Sequence, residues 1–267
     1  MTTPKTLTLT TTWIPRGELA RVQRYWPVLR ELYDHLVMVI LPETLPDIIQ
    51  AARALPDVRL HEAEVLGTGR YLAVKHALAV PTDVIHYVDM DRLVRWVETR
   101  PSELRETVAA LRALHETDYL MLGRTDAAMR THPQALQKTE VLIDTAFTHL
   151  LGSSTRYDFC SGSKAFSQRA AEFIAAHGAP DYGLGTDTEW AVLMHRGGFN
   201  INQMRVDGLD WETADRFRDA AADEALQRAE AARMDADAAQ WEARTELAHQ
   251  MMRAGLDALA RELDRRI

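Results

Sequence analysis

"VIHYVDMDRLVRW", residues 84–96, sets two carboxylates at the close of a buried strand. Val84, Ile85, Tyr87 and Val88 are β-branched or aromatic, the composition of a strand covered on both faces. Asp89 and Asp91 follow, on either side of Met90. A strand covered on both faces belongs to a layered α/β sheet, where ligands bind beyond the carboxyl ends of the strands. Both acids therefore fall on the edge of the sheet that holds a site.

The text on either side fits such a sheet. Upstream, "TLTLTTT" (6–12), "HLVMVILP" (35–42) and "DVRLHEAE" (57–64) read as strands. Between them, 17–34, 44–55 and 68–80 carry apolar residues at helical intervals. Pro27 is expected to turn or kink the first helix, and Thr44 to cap the second. Downstream, 101–114 opens with Pro and Ser as a helix does, and "DYLMLGRT" (118–125) is a fifth strand. Strands alternating with helices of this length predict a mostly parallel central sheet flanked by helices.

Beyond residue 125 the rhythm changes. A long helix (about 134–151) leads to "DFCSGSKAFSQRAAEFI" (158–174), a strand and Gly/Ser turn feeding a helix. A glycine-bearing loop, a short helix stopped by Gly197–Gly198 and a strand occupy 182–206. Residues 212–267 have no Pro, one Gly and abundant Ala, Glu, Arg and Asp, which reads as long helix. Met252, Leu256, Leu259, Leu263 and Ile267 form its apolar stripe. The division expected is a domain over 1–211 and a C-terminal helical extension over 212–267.

Bulk properties narrow the classes. The 267 residues are 46% hydrophobic and 26% charged, as in an ordinary globular chain. A net charge of −8 makes an extended nucleic-acid backbone a poor partner. One cysteine, Cys160, forms no intrachain disulfide and suits a reducing cytoplasm. The start lacks a signal-peptide core, and "LVMVIL" (36–41) is far too short to span a membrane, so a cytoplasmic protein is expected.

Two readings of Asp89 and Asp91 stand side by side. As hard oxygen donors they suit Mn²⁺ or Mg²⁺ gripping a diphosphate; as turn acids they simply cap a helix. A dehalogenase-type nucleophile pair is disfavoured, because Val94 falls three residues beyond the second Asp instead of two.

The order of elements, the "HYVDMD" strand end, "DFCSGSKAFSQRAAEF" and "GTDTEWAVLMHRGGFNI" together resemble a GT-A-fold glycosyltransferase of family 2, over roughly residues 6–210. The resemblance implies a nucleotide-diphosphate-sugar transferase fold and a UDP- or GDP-sugar donor. It also implies a hydroxyl-bearing acceptor and a metal at Asp89 and Asp91. In place of the family's acidic pair stands Thr186–Asp187, which makes Asp187 the base of an inverting transfer. Ser161 and Gly162 match its Gly/Ser segment. Two departures stand out: the acidic motif after the second strand is "LPETLPD", leaving Glu43 and Asp47, and the third-helix motif is blurred into "GRYLAVKH".

Other residues complete the candidate list. Arg70 and Lys75 are placed to neutralise a diphosphate, or are merely cations of an amphipathic helix. Thr11, Thr12 and Arg16 follow the first strand, where such folds cradle the nucleotide. Trp211 offers a stacking face to the acceptor sugar, or anchors the C-terminal helices. Those helices are expected to pack back on the domain or join two copies. A sugar nucleotidyltransferase of similar fold and a non-catalytic glycosyltransferase-like binding protein are the alternatives.

Overall fold

The computed structural model describes residues 5–263; Ile267 of the expected stripe lies outside them, as do residues 1–4. In chain order come β1 (Leu7–Trp13), α1 (Leu19–Leu32), β2 (His35–Ile40), α2 (Pro46–Arg53), β3 (Val58–Glu62) and α3 (Gly69–Ala77). The stretch quoted above supplies β4 (Val84–Val88) and α4 (Met90–Thr99), before α5 (Pro101–Leu111) and β5 (Asp118–Arg124). The second half holds α6 (Asp126–Thr131), α7 (Gln134–Leu150), β6 (Ser163–Ser167), α8 (Gln168–His177), α9 (Thr186–Gly197) and β7 (Asn200–Val206). It closes with α10 (Glu224–Asp235) and α11 (Ala238–Ala260).

The seven strands form one sheet in the order β3-β2-β1-β4-β6-β5-β7. Every pairing is parallel except the two made by β6. Strand alternation splits the core into two layers. Val84 and Val88 face a cluster with Trp26, Trp96 and Leu104, whereas Ile85 and Tyr87 face one with Phe147, Phe166 and Trp190. Since β6 runs against β4, pairing Val88 with Ser163, the Gly/Ser segment before β6 arrives beside the carboxyl end of β4. Asp89 N donates to Gly162 O there at 3.1 Å.

Several local expectations change. No turn follows β4: Asp89 has extended backbone at the N-cap and α4 begins at Met90, so Asp91 lies in a helical first turn. Pro27 sits inside an unbroken α1. Thr44 donates to Leu41 O at 2.8 Å, making a turn, and leaves the N-cap of α2 to Leu45. Residues 207–223 are largely loop, with Asp210 and Asp215 held by Arg95 and Arg21. The buried face of α11 is Ala248, Met251, Ala254, Gly255 and Ala258, against α7 and α9. Small residues let the helices approach closely; a Cβ on Gly255 would meet the Phe147 ring at 2.2 Å. Met252, Leu259 and Leu263 are half-buried beside that face, while Leu256 is exposed. No helix among the described residues is long and apolar enough to cross a membrane.

Candidate functional site

The carboxyl ends of β1, β2 and β4 open into a cleft of about 470 Å³. From the β1 end come Thr12, Trp13 and Arg16; from β4 and α4 come Asp89, Asp91 and Arg92. Arg70 of α3 reaches it, and the loop after β7 contributes Glu212, Thr213 and Arg216. Arg244 and Leu247 of α11 complete the wall.

The two aspartates are not equivalent. Asp89 is saturated: its Oδ2 accepts from Arg70 Nη2 at 2.7 Å, and its Oδ1 accepts from the Tyr87 hydroxyl and from Thr12 Oγ1. Asp91 makes one hydrogen bond, accepting from Arg92 N at 2.9 Å. Burial, with Glu212 and Asp89 nearby, pushes the Asp91 carboxyl up to about 7. Glu212 goes the other way, since Arg92 outweighs the cost of burial and holds it below the ordinary range. Its Oε2 is buried and has no hydrogen-bond partner, an arrangement that costs free energy unless a cation arrives. Asp91 and Glu212 thus share the cleft wall with open carboxylate oxygens, whereas Asp89 is engaged by Arg70, Tyr87 and Thr12.

Among the described residues no three His, Cys, Asp or Glu side chains converge as a ready metal cage. Two carboxylates fit Mn²⁺ or Mg²⁺ when the ligand's phosphate oxygens supply the rest.

Asp187 lies behind this wall. It is 2% exposed, absent from the cleft surface, and ion-paired to the fully buried Lys164. Arg70 Nη1 is 2.9 Å from its Oδ2, close enough for an ion pair though off the line a hydrogen bond needs. Burial would raise the Asp187 pKa; Arg70 and Lys164 reverse that and hold it below the ordinary carboxylate range. A chain Lys164–Asp187–Arg70–Asp89 results, with Arg70 also 5.5 Å from the Tyr87 ring centre. An acid so placed is a weak and inaccessible base.

The remaining candidates divide. Thr12, Arg16 and Arg70 line the cleft as expected. Thr11 is buried in β1, Glu43 is exposed with φ +73° in the turn after β2, and Lys75 stands over the Tyr71 ring, all three off the wall. Ser161 and Gly162 support the site from behind. Ser161 O accepts from Arg92 Nη1 at 2.8 Å, and a Cβ at Gly162 (φ +68°) would meet Asp89 Oδ2 at 2.7 Å. Trp211 is 1% exposed and faces a separate cleft.

Sequence reasoning passed over Glu212, Arg216 and Arg244. The run "DGLDWETAD" advertised acids after the last strand, but only the fold tells which one faces Asp91. Arg16, Arg216 and Arg244 are half-buried, and among the described residues their side chains make no hydrogen bond or ion pair. Three half-buried arginines without a side-chain partner give this wall a positive charge that suits an anion.

No protein-family model and no curated protein sequence matches the chain. Solved structures do. One is glucosyl-3-phosphoglycerate synthase from Mycobacterium tuberculosis, in complex with Mn²⁺, UDP-glucose and phosphoglyceric acid. It superposes with a TM-score of 0.59 at 14% identity, over 96% of this chain and 80% of that one. The fold is GT-A. A second crystal structure of the mycobacterial synthase matches with a TM-score of 0.53 at 17% identity, over 75% and 71% of the two chains. A structure described only as a mycobacterial protein matches at 0.54 and 16%, and 75% of this chain spans 65% of that one.

Proposed function

We propose that the protein is a metal-dependent glycosyltransferase that takes its sugar from a nucleotide-diphosphate donor, of the UDP or GDP type, and passes it to an acceptor hydroxyl. The observation that carries this reading is the gathering, in one cleft, of Asp91 and Glu212, whose Oε2 has no hydrogen-bond partner, with Arg16, Arg216 and Arg244, whose side chains make no hydrogen bond or ion pair among the described residues. Carboxylate oxygens and guanidinium groups left without hydrogen bonds in one cleft are what a metal–diphosphate ligand satisfies together. The mycobacterial synthase structure with Mn²⁺ and UDP-glucose supports the same donor class.

In this reading Asp91 and Glu212 hold Mn²⁺ or Mg²⁺, which when bound neutralises charge on the diphosphate. Arg16, Arg216 and Arg244 stabilise the developing charge on the departing nucleotide. Trp13, Leu41 and Leu66 offer the apolar surface that a nucleobase needs. The acceptor oxygen bonds to the anomeric carbon, the bond from that carbon to the phosphate oxygen breaks with its electron pair on the phosphate, and one proton is released. Asp187 acts through Arg70, which it holds against Asp89; its burial and double ion pairing argue against the base of an inverting displacement. Residues 212–267 belong to the same functional unit as 1–211, since Glu212, Arg216 and Arg244 lie among them.

Titration with UDP and GDP, with and without Mn²⁺, tests the reading, followed by a screen of nucleotide sugars for slow hydrolysis. Metal-dependent binding with hydrolysis supports the transferase. Binding without turnover of any sugar nucleotide favours a non-catalytic protein of this fold. Absence of binding overturns the proposal.

A further inference from the structure

Next to the main cleft lies a second one of about 320 Å³, lined by Trp211, Phe217, Arg218, the Arg233–Glu230 ion pair and Asp237. Thr213 and Arg216 line both, so the two clefts adjoin along the loop 213–218. That loop is built with unusual rigidity for a surface segment. Arg95 grips Asp210 with two hydrogen bonds of 2.6 and 3.0 Å and reaches Asp215 at 2.7 Å, while Arg21 holds the other Asp215 oxygen at 2.9 Å. All four groups are buried. Gln227 Nε2 donates to Trp211 O at 2.9 Å, fixing the loop from the side of α10.

What this scaffold presents is chemically specific. Phe217 is 80% exposed and has φ +59°, a region that aromatic residues avoid. Its N–H donates to Arg16 O at 2.8 Å, and Gly17 leaves room for it, since a Cβ there would meet Phe217 Cα at 2.6 Å. Strain of this kind persists only where the surroundings impose it, and it gathers at ligand clamps. On either side of the ring stand Arg216, without a side-chain partner, and Arg218, whose only hydrogen bond among the described residues goes to Ala214 O at 3.0 Å. Glu230 and Asp237 also line this cleft, but Glu230 is paired with Arg233, while Arg216 and Arg218 have no carboxylate partner among the described residues. An exposed aromatic face beside two such cations suits a ring that bears an acid.

We propose that the second cleft is the acceptor site, and that the acceptor is a hydroxyl-bearing sugar carrying an anionic substituent, phosphate or carboxylate; this rests on the transferase reading above. Phe217 takes the apolar face of the ring. Arg218 and Arg216 take the anion, with Arg216 placed to touch the donor side as well. The loop where the clefts adjoin is fixed by four buried charges, which sets the acceptor against the donor.

The test uses the full chain, saturated with Mn²⁺ and UDP, titrated calorimetrically with glucose 6-phosphate, glucuronate and glucose. The expected result is that one of the two acids binds at least about tenfold more tightly than glucose, the tighter one naming the substituent. Arg218→Gln should lose that preference about tenfold while melting within about 2 °C of the wild type. Phe217→Ala should weaken all three sugars together. Equal binding of the acids and glucose, no binding of any of them, or an unaltered preference in Arg218→Gln overturns the assignment. Failure of UDP and Mn²⁺ to bind at all counts against the transferase reading instead, so the two failures are told apart.

Discussion

Asp89, Asp91 and Asp187 are the same residue type in three electrostatic settings, and the settings assign their work. Asp89 is satisfied by Arg70, Tyr87 and Thr12; Asp91 is half-buried on the cleft wall and forms no ion pair among the described residues; Asp187 is buried between two cations. Asp91→Asn is expected to abolish metal-dependent nucleotide binding. The metal-free protein should melt at the same temperature or higher at pH 8, because a carboxyl raised to about 7 burdens the fold at higher pH. A thermal melt of the variant beside the wild type checks this. Asp187→Asn should behave oppositely. It leaves Lys164, fully buried and without another hydrogen-bond partner among the described residues, facing a neutral amide. Breaking such a pair costs about 3–5 kcal/mol, read as a lower urea midpoint with little change in slope. A variant of normal stability that has lost only turnover would restore Asp187 as the base. The strand-end position of Asp89 and Asp91 was legible from "HYVDMD". Their division of labour was not, because it depends on Arg70, Glu212 and Tyr87 and therefore on the fold.

At the scale of elements, the helix that carries Asp91 is the piece the sequence hid. The residues after Val88 read as a turn because two acids interrupt an apolar run, yet α4 buries Leu93, Val94, Trp96 and Val97. Trp96 in turn fixes the loop after β7. A Cβ on Gly208 would meet its Cδ1 at 1.8 Å, and Glu103 accepts from the N–H groups of Asp207 and Gly208 at 2.8 and 2.7 Å. Gly208→Ala is expected to destabilise the protein by about 1–3 kcal/mol and to weaken nucleotide binding by shifting Glu212; denaturant titration and UDP titration check the two effects. The β4–β6 pairing contains a second buried device. His86 Nδ1 meets the Tyr33 hydroxyl at 2.7 Å and its Nε2 meets Ser163 Oγ at 3.0 Å. Burial lowers the His86 pKa to about 3. The unfolded chain therefore takes up a proton below pH 6.5 that the folded chain refuses, and this share of stability falls as pH drops from 6.5 toward 3. Between pH 7 and pH 5 it amounts to about 2 kcal/mol, and urea curves of His86→Gln should lack that part of the slope. The stripe in α11 was misread for a related reason. Leucine and methionine drew the eye, but close packing on α7 and α9 selects Ala248, Ala254, Gly255 and Ala258.

For the molecule as a whole, the alternation of strands and helices anticipated a mostly parallel flanked sheet, and the resemblance carried by "HYVDMD" and the segments after it anticipated the GT-A fold; that β6 runs against its neighbours was not legible. The C-terminal part was not legible as part of the site. Arg244 is brought to the cleft by a helix with no local signal of that purpose, and α11 buries Met251 and Ala258 in the same cluster as Ile85 and Phe166. A chain cut after residue 237 is accordingly expected to lose cooperative unfolding in a calorimetric scan, not merely a tail. Donor recognition ties these scales together, because the cleft joins β1, α4, the β7 loop and α11 around one charge pattern. The deciding measurement is calorimetric titration of the intact protein with UDP and GDP, with and without Mn²⁺, repeated on Glu212→Gln. Binding of one nucleotide that requires Mn²⁺ and is lost in Glu212→Gln is the predicted result. Metal-independent binding, or full metal-dependent binding by Glu212→Gln, would contradict it.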